Sequence, residues 1–268
     1  MQAPYQPATN YWRAIEIEEV INYDLPAGRG LDLGCGDGHL MAILLGHLGQ
    51  RTVVGLDVDP LETALARGRN VYREVVTARA DSLPFFGGCF DFVFSNSVLE
   101  HIQNIKAALS EVARVLRPTG RFLFTVPGAD FHNCLKGPRS PDNRERYLRE
   151  IDARCMHLRY WDAGRWSRHL QQAGLTLVHQ HEYLTLAQVR RWEVIASYTS
   201  GPLYRLIGGK KQPVEIQRQL GVRNLRLRLP RVLASLSASA LDLGSPSEGS
   251  NYGCLFVEAR KLDNDPSG

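Results

Sequence analysis

The amino-acid sequence predicts an α/β fold in which a mostly parallel sheet is covered by helices on both faces. Three observations lead to this prediction. Short apolar strand candidates alternate with helical segments over roughly residues 30–127. A glycine-rich turn joins the first strand to the first helix, and acidic residues follow successive strand candidates. Because ligands of such sheets bind at the carboxyl ends of the strands, the functional site is expected there.

The stretch GLDLGCGDGHL, residues 30–40, indicates what kind of ligand the first turn would hold. It begins in an apolar strand candidate and leads into HLMAILLGHL, residues 39–48, which predicts a helix. Glycines in the turn allow positive φ angles and let a ligand approach the main chain. A dinucleotide-binding turn would place its third glycine where this chain has His39. Because Asp32 ends the strand, the turn favours a cationic ligand over a pyrophosphate.

A second acidic residue, Asp57, ends the apolar run RTVVGLDVD about twenty residues after the glycines. A carboxylate at the end of a second strand can accept hydrogen bonds from a ribose diol. Together the two strand ends predict a pocket for a nucleoside that carries positive charge. S-adenosylmethionine fits this description, with its sulfonium, its α-amino group and its ribose hydroxyls.

Two further motifs follow at the next strand ends. ARADSLPF places Asp81 and Ser82 after the third strand candidate, where Asp81 could equally cap a turn. FDFVFSNSVLEHIQN predicts a fourth strand that ends in small polar residues, among them Asn96. Asn104 is suited to cap the helix that follows, whose apolar residues recur at helical spacing. GRFLFTVP then predicts the fifth strand.

These motifs, taken in order, make the chain resemble the class I S-adenosylmethionine-dependent methyltransferases, in their small-molecule, type 11-like branch. LDLGCGDG is close to that family's first motif, and the run SNSVLEH is similar to its fourth. The resemblance covers roughly residues 25–184 and the final strand candidate at 251–261. It implies a Rossmann-like seven-stranded sheet, mostly parallel with an antiparallel last strand. A helical insertion is expected before that strand, and it lies outside the resemblance.

The resemblance also implies the cofactor, S-adenosyl-L-methionine, and the product S-adenosyl-L-homocysteine. Asp57 would accept the ribose hydroxyls, Asp81 would meet the adenine amino group, and Ser82 would supply a neighbouring N–H. The full set of cofactor-binding residues implied in this way is Asp32, Gly34, Cys35, Gly36, Gly38, Asp57, Val58, Asp81, Ser82 and Asn96.

His101, His132, His157 and His169 could act as acid or base, and His101 and His157 are the candidates for catalysis. His101 follows the fourth strand, near the expected methyl group, where an imidazole could take a proton from a hydroxyl acceptor or be merely structural. His157 begins HLRYWDAGRW, which resembles the family's His-x-Arg-aromatic turn, so His157 and Arg159 would either meet an anionic substrate group or pin a loop. Whether a general base is needed stays open, because methyl transfer mainly requires alignment of donor and acceptor.

The predicted reaction is methyl transfer to an oxygen, nitrogen or carbon atom of a small-molecule, sugar or lipid-linked acceptor. The run SNSV at 95–98 differs from the Asp/Asn-Pro-Pro-aromatic motif of adenine methyltransferases, and the chain has no Pro-Cys nucleophile of the cytosine type. The alternatives are an RNA or protein methyltransferase and a non-catalytic protein that binds S-adenosylmethionine. A nucleic-acid partner is disfavoured because the chain has no recognisable RNA or DNA module.

The predicted methyltransferase domain comprises residues 1–183 and 251–262, and residues 184–250 form a basic, helical insertion. The insertion contains ten Arg or Lys residues and four acidic ones, whereas the net charge of the whole chain is +4. Within it, the segment Leu225 to Leu243 joins a basic lead to an apolar tail, which suits a lid or a peripheral membrane contact. A dimer interface is a third use of the insertion, and the oligomeric state is open.

Composition sets limits on the remaining classes. Five scattered cysteines without a C-x-x-C pair suggest neither a disulfide framework nor a zinc site, so no metal is expected. No stretch reaches the roughly 18 apolar residues of a membrane span. We therefore expect a cytoplasmic protein, either free or peripheral at the inner face of the membrane. The segment 128–152 is long and rich in Pro, Gly and charge, and we expect a lid or binding loop there.

Overall fold

The computed structural model describes residues 7–49, 51–198 and 251–262. In this part of the chain, seven strands form one sheet in the order β3-β2-β1-β4-β5-β7-β6, with helices around it. The strands are β1 (Arg29–Leu33), β2 (Thr52–Asp57), β3 (Glu74–Thr77), β4 (Phe90–Asn96), β5 (Leu116–Pro127), β6 (Leu175–Thr185) and β7 (Tyr252–Lys261). The helices are α1 (Pro7–Tyr23), α2 (His39–Leu48), α3 (Pro60–Arg67), α4 (Ile105–Val115), α5 (Phe131–Cys134), α6 (Pro141–Cys155), α7 (Ala163–Gln172) and α8 (Leu186–Tyr198).

The strand pairing confirms the predicted sheet. β1 lies between β2 and β4 and pairs with both in parallel, β3 pairs in parallel with β2, and β5 with β4. β7 is antiparallel to β5, as the resemblance implied. Asp32 at the end of β1 lies opposite Gly55 of β2 and Phe94 of β4. The carboxyl ends of β1, β2 and β4 therefore lie side by side. At this point the chain changes from adding strands on one side of β1 to adding them on the other side.

The core of the sheet is built from strands that are buried on both faces. Phe92 and Phe94 of β4 and Phe122 and Phe124 of β5 are completely buried. Trp166 of α7 is also completely buried, with its ring 5.0 Å from that of Phe124. Near-continuous apolar strands of this kind are typical of parallel sheets covered by helices on both faces. Truncation of one such aromatic residue to alanine costs about 3–5 kcal/mol, so this core holds the strand ends in place.

Three helices begin where capping residues predict. The Asn104 side chain accepts a hydrogen bond from the Ala107 N–H at the start of α4, and Asp162 accepts one from the Arg165 N–H at the start of α7. Asp59 caps α3 in the same way, just after the end of β2. Such caps satisfy N–H groups that have no partner within the helix, which sets where each helix begins.

The described chain divides into two compact units. The residues of the larger unit lie within 16–129, 157–183 and 254–268, and it contains the central strands and the predicted site. The residues of the smaller unit lie within 1–15, 130–156 and 184–253. In the smaller unit the indole of Trp12 lies 5.4 Å from the rings of both Phe131 and Trp192, which forms an aromatic core joining three separate segments.

Two expectations about the outer segments have different outcomes. The prediction of a loop at 128–152 is wrong for most of that segment, because α5 and α6 occupy it. Pro141 stands in the first turn of α6, where a proline needs no N–H partner, so the proline that indicated a loop begins a helix instead. Of the predicted insertion, the structure describes α8, and the segment 225–243 lies outside the described residues. The proposed domain boundaries stay predictions.

Among the described residues, no helix combines the length and the apolar character that crossing a membrane requires.

Candidate cofactor and active site

The glycine turn after β1 is tied to the neighbouring strand. The backbone N–H groups of Gly34 and Cys35 both donate to the Leu56 carbonyl of β2, at 2.7 and 2.9 Å. Cys35 is buried, and burial, followed by the nearby carboxylates, raises the pKa of its thiol far above the usual range. The thiol is therefore neutral, and this residue contributes to the turn through its backbone and its packing.

The three glycines of the turn all have positive φ angles, of 83° at Gly34, 51° at Gly36 and 76° at Gly38. A Cβ atom at Gly34 would lie 2.3 Å from a methyl group of Val98, and one at Gly38 would lie 2.9 Å from the Tyr72 ring. A Cβ atom at Gly36 would meet nothing within 4 Å. Packing therefore requires the outer two glycines, whereas the middle one presents bare backbone to open space.

Asp57 connects this turn to the end of β2. Its Oδ2 atom accepts a hydrogen bond from the Gly36 N–H and its Oδ1 atom accepts one from the Asp59 N–H, both at 2.9 Å. Burial raises the pKa of Asp57, and the two backbone hydrogen bonds oppose that rise. A carboxylate oxygen can accept two hydrogen bonds. Beyond these two backbone contacts, the carboxylate has the capacity to accept a pair of hydroxyl donors.

Asp32, at the end of β1, is 4% exposed. The Tyr72 hydroxyl donates to its Oδ2 atom at 2.6 Å, and burial together with this carboxylate raises the pKa of Tyr72 well above its usual range. Tyr72 belongs to no motif and lies in the connection before β3, so sequence reasoning missed it. Its role follows only from packing, because the same ring lies against Gly38 and Gly55.

Asp81 lies after β3 and is held by an arginine. The Arg79 guanidinium donates to both carboxylate oxygens of Asp81, at 2.8 and 2.7 Å, and this contact lowers the pKa of Asp81. The Ser82 N–H donates to the Arg79 carbonyl at 3.3 Å. Arg79 was not among the predicted site residues, although its spacing of two residues from Asp81 is a signal that could have indicated the ion pair. Val58, also predicted at the site, is 62% exposed.

The end of β4 holds a buried acid that sequence reasoning also missed. Glu16 of α1 is completely buried, and its carboxylate accepts hydrogen bonds from the Asn96 amide, at 2.9 Å, and from the Ser97 hydroxyl. Ser97 has a φ angle of 49°, and its backbone N–H donates to the Thr125 carbonyl at 3.0 Å. A non-glycine residue with a left-handed backbone is uncommon, and here Glu16 and Thr125 hold it in place.

The two histidines predicted as catalytic lie together around one buried acid. His101 ends a 3₁₀ turn (Leu99–His101) after β4, and His157 lies just before α7. Their Nε2 atoms are 3.8 and 4.0 Å from Oε1 of Glu100, which is 1% exposed, and their rings are 5.4 Å apart. Nδ1 of His157 is 3.1 Å from the Tyr160 hydroxyl. The structure therefore brings together two catalytic candidates that lie far apart in the sequence.

Arg159 pins the loop that carries His157. Its guanidinium donates to the carbonyls of Leu99 and Ile102, and the Leu158 N–H donates to the Glu100 carbonyl at 2.9 Å. Burial lowers the pKa of Arg159. Of the two roles considered for Arg159, these contacts favour the pinning of a loop.

The site as a whole is rich in negative charge. Asp32, Asp57, Glu16 and Glu100 all lie at or just beyond the carboxyl ends of β1, β2 and β4, and each is buried or half-buried. Such a concentration of carboxylates favours a ligand that carries positive charge. Together with the bare backbone at Gly36, it fits a cationic nucleoside and would repel a pyrophosphate.

The fold defines the class, a Rossmann-like protein, and proteins with such sheets bind their ligands at the switch point of the sheet. Residues 31–124 match the family described as a methyltransferase domain. S-adenosylmethionine is the cofactor of the proteins that this part of the chain resembles.

Similar proteins agree with this assignment. A malonyl-[acyl-carrier protein] O-methyltransferase of Methylovorus is 31% identical over 122 residues, which cover 42% of this chain and 41% of that relative. The chain therefore spans less than half the length of that curated relative.

Solved structures share the fold. An S-adenosylmethionine-dependent methyltransferase of Thermotoga maritima superposes with a TM-score of 0.57 at 17% identity, covering 96% of this chain and 92% of that one. A phosphoethanolamine N-methyltransferase of Haemonchus contortus, solved with S-adenosyl-L-methionine, gives a TM-score of 0.54 at 18% identity and covers 92% of this chain and 52% of that one.

Proposed function

We propose that this protein binds S-adenosylmethionine at the carboxyl ends of β1, β2 and β4 and transfers its methyl group to a small-molecule or lipid-linked acceptor. The family match and the fold support methyl transfer as the reaction class. An oxygen atom is the favoured acceptor for two reasons. The relative from Methylovorus is named for O-methylation of a carrier-linked malonyl group. Two imidazoles near the end of β4 also suit an acceptor that loses a proton.

The hydrogen bond from the Gly36 N–H to Asp57, at 2.9 Å, carries this proposal. It joins the bare backbone of the turn to a half-buried carboxylate that can still accept two hydroxyl donors, as a ribose diol requires. A turn that served only to begin α2 would need neither open space at Gly36 nor an acid from the next strand. We therefore assign the ribose to Asp57 and the positively charged end of the cofactor to the carboxylates around Asp32 and Glu16.

The residues of this chain have separate tasks in the reaction. When bound, S-adenosylmethionine would supply an electrophilic methyl group. The acceptor atom would bond to this methyl carbon as the bond between the methyl carbon and sulfur breaks. Asp57 and the glycine turn orient the cofactor, which is the main requirement of an in-line displacement. His101, whose side chain is 33% exposed, receives the proton that an oxygen acceptor loses, and buried Glu100 orients the imidazole. His157 lies on the other side of the same carboxylate.

The proposal is tested by calorimetry with S-adenosylmethionine and S-adenosylhomocysteine. Loss of two ribose hydrogen bonds to a charged acceptor, at about 1.5–3 kcal/mol each, predicts that Asp57→Ala weakens both ligands by at least about a hundredfold. Asp91→Ala is the matched control, because Asp91 lies at the start of β4, at the other edge of the sheet, where it accepts from the Arg29 N–H. Unchanged affinity in Asp57→Ala, or equal loss in both variants, contradicts the assignment.

Turnover separates an enzyme from a protein that only holds the cofactor. We expect S-adenosylhomocysteine to form when the purified protein is given S-adenosylmethionine and extracts of small molecules or lipids. Tight binding without any such turnover, in extracts that span both acceptor classes, would favour the non-catalytic alternative.

A further inference from the structure

The cluster of Glu100, His101 and His157 has the composition of a metal site. Each residue offers one ligating atom, and these three atoms lie within 4.8 Å of one another. We propose that this cluster binds one divalent transition-metal ion of the zinc type. Cysteine spacing alone predicted no metal, whereas this set joins a carboxylate and two imidazoles from different parts of the chain.

The spacing of the three side chains suits an ion between them. The distances from Oε1 of Glu100 to the two Nε2 atoms, 3.8 and 4.0 Å, are longer than hydrogen bonds. Ligand atoms that surround a zinc ion at about 2.0–2.2 Å lie roughly 3–4 Å from one another. The ligating atoms are therefore already close to the separations that one shared ion requires.

The surroundings hold the imidazole of His157 in the orientation that a ligand needs. Its Nδ1 atom is 3.1 Å from the Tyr160 hydroxyl, so the opposite nitrogen, Nε2, is directed towards Glu100. Histidines that bind metals almost always engage their second nitrogen in such a contact. The Leu158 N–H bonded to the Glu100 carbonyl and the two contacts of Arg159 fix the backbone on both sides of the cluster.

Charge and access also favour an ion. Glu100 is 1% exposed, and a dication bound by its carboxylate gains from the low dielectric of a buried site. The side chain of His101 is 33% exposed, which provides a route from solvent. Three protein ligands leave positions open for water or for a further oxygen atom, as in catalytic zinc sites. If the proposed function holds, that oxygen is the methyl acceptor. The ion then takes the place of His101 in the loss of the proton, because an oxygen bound to a metal loses its proton more readily and a ligating imidazole nitrogen cannot accept one. Acceptors with a protic or anionic oxygen are the expected class.

The experiment measures metal binding on the whole chain after treatment with a chelator. Zn²⁺ is titrated by calorimetry, and Co²⁺ is used as a spectroscopic probe because its visible absorption reports coordination by nitrogen and oxygen. We expect one ion per chain, accompanied by a rise in melting temperature. His157→Gln, His101→Gln and Glu100→Gln should each weaken binding by at least about tenfold, since loss of even a supporting contact costs about 10–100-fold in metal affinity.

A second histidine pair in the same chain supplies the matched control. In β6, Nε2 of His179 is 3.2 Å from Nδ1 of His181, and Nε2 of His181 is 3.0 Å from Oε2 of Glu19. His181→Gln therefore removes a comparable imidazole outside the cluster. We expect the stoichiometry and affinity of His181→Gln to equal those of the wild type. The proposal would be overturned if His181→Gln abolished metal binding while His157→Gln retained it. It would also be overturned if the wild type bound no metal in stoichiometric amount.

Two further measurements keep the result interpretable. Melting curves without metal identify a variant that fails to fold. If Glu100→Gln is unstable, metal binding by His101→Gln, a change at a partly exposed side chain, decides the test. S-adenosylmethionine affinity is measured on the same chelated samples. A wild-type protein that binds the cofactor but no metal contradicts the metal site alone, whereas a wild-type protein that binds metal but no cofactor contradicts the proposed function.

Discussion

Replacement of Gly36 by asparagine tests whether a ligand approaches the bare backbone of the turn. The φ angle of 51° is one that asparagine tolerates better than most residues, and its Cβ atom would meet nothing within 4 Å. The protein without ligand should therefore lose only about 1–2 kcal/mol of unfolding free energy, the usual cost of a left-handed backbone at a residue with a side chain.

The effect on the cofactor should be larger. A side chain at position 36 extends into the open space that the ligand would occupy, and overpacking of this kind costs about 1–3 kcal/mol. If the new side chain displaces the ligand from the turn, a hydrogen bond between the ligand and the backbone of the turn is also lost, which costs about 0.5–1.5 kcal/mol. Together these terms predict a loss of affinity of roughly tenfold to a thousandfold, because each tenfold corresponds to about 1.4 kcal/mol.

Gly88→Asn is the matched control for this prediction. Gly88 has a φ angle of 65°, and a Cβ atom there also meets nothing within 4 Å, but it precedes β4 at the other edge of the sheet. The assay is calorimetric titration of both variants with S-adenosylmethionine, accompanied by urea unfolding. A stable Gly36→Asn protein that binds with wild-type affinity would show that no ligand lies against this turn, and our reasoning about the pocket would be refuted.

The remaining predictions concern the residues around the pocket. Tyr72→Phe removes the donor to buried Asp32 and should lower the free energy of unfolding by about 1.5–3 kcal/mol in urea, whereas Tyr198→Phe, at a side chain 82% exposed, should not change it. Asp81→Ala should weaken S-adenosylmethionine by roughly twofold to tenfold in calorimetry, as expected for one hydrogen bond to the adenine amino group, and an unchanged affinity would remove that role. Arg79→Gln should raise the pKa of Asp81 towards its ordinary value of 3.8 in an NMR titration, because the guanidinium is what lowers it. Burial raises the pKa of Asp57 above 3.8 in the folded protein, so the contribution of this group to stability declines as the pH rises through that pKa. The ribose hydroxyls assigned to Asp57 donate to its ionised form, so cofactor affinity should fall on acidification at a pH above that expected for an ordinary aspartate, and Asp57→Ala should lose this dependence.

Several local features of the sequence were sufficient to predict the fold. The alternation of apolar strands and capped helices, seen at Asn104 and Asp162, reports structure that forms within a few residues of the signal. The antiparallel last strand came from the family resemblance and not from any local pattern. The loop expected at 128–152 failed because proline and charge are compatible with a helix start as well as with a loop. Pro141 begins α6, where its missing N–H has no consequence.

The residues of the candidate site also fall into two groups, those that the sequence predicted and those that it did not. Asp32, Asp57 and the glycines were predictable because each stands directly after a strand, and the carboxyl ends of parallel strands meet at one edge. Tyr72, Glu16 and Glu100 were not, because their importance depends on contacts with residues distant in the chain.

The amino-acid sequence by itself therefore determined the alternation of strands and helices over residues 30–127, the cofactor class and the glycine turn after β1. Hydrophobic periodicity, capping and glycine turns act over short separations, so they can be recognised without a fold. Tertiary structure alone decided that His101 and His157 share the carboxylate of Glu100, that Tyr72 holds Asp32 and that Arg79 engages both oxygens of Asp81. Each of these contacts depends on the direction of a side chain, and that direction is set only when the helices and loops pack around the ends of the strands.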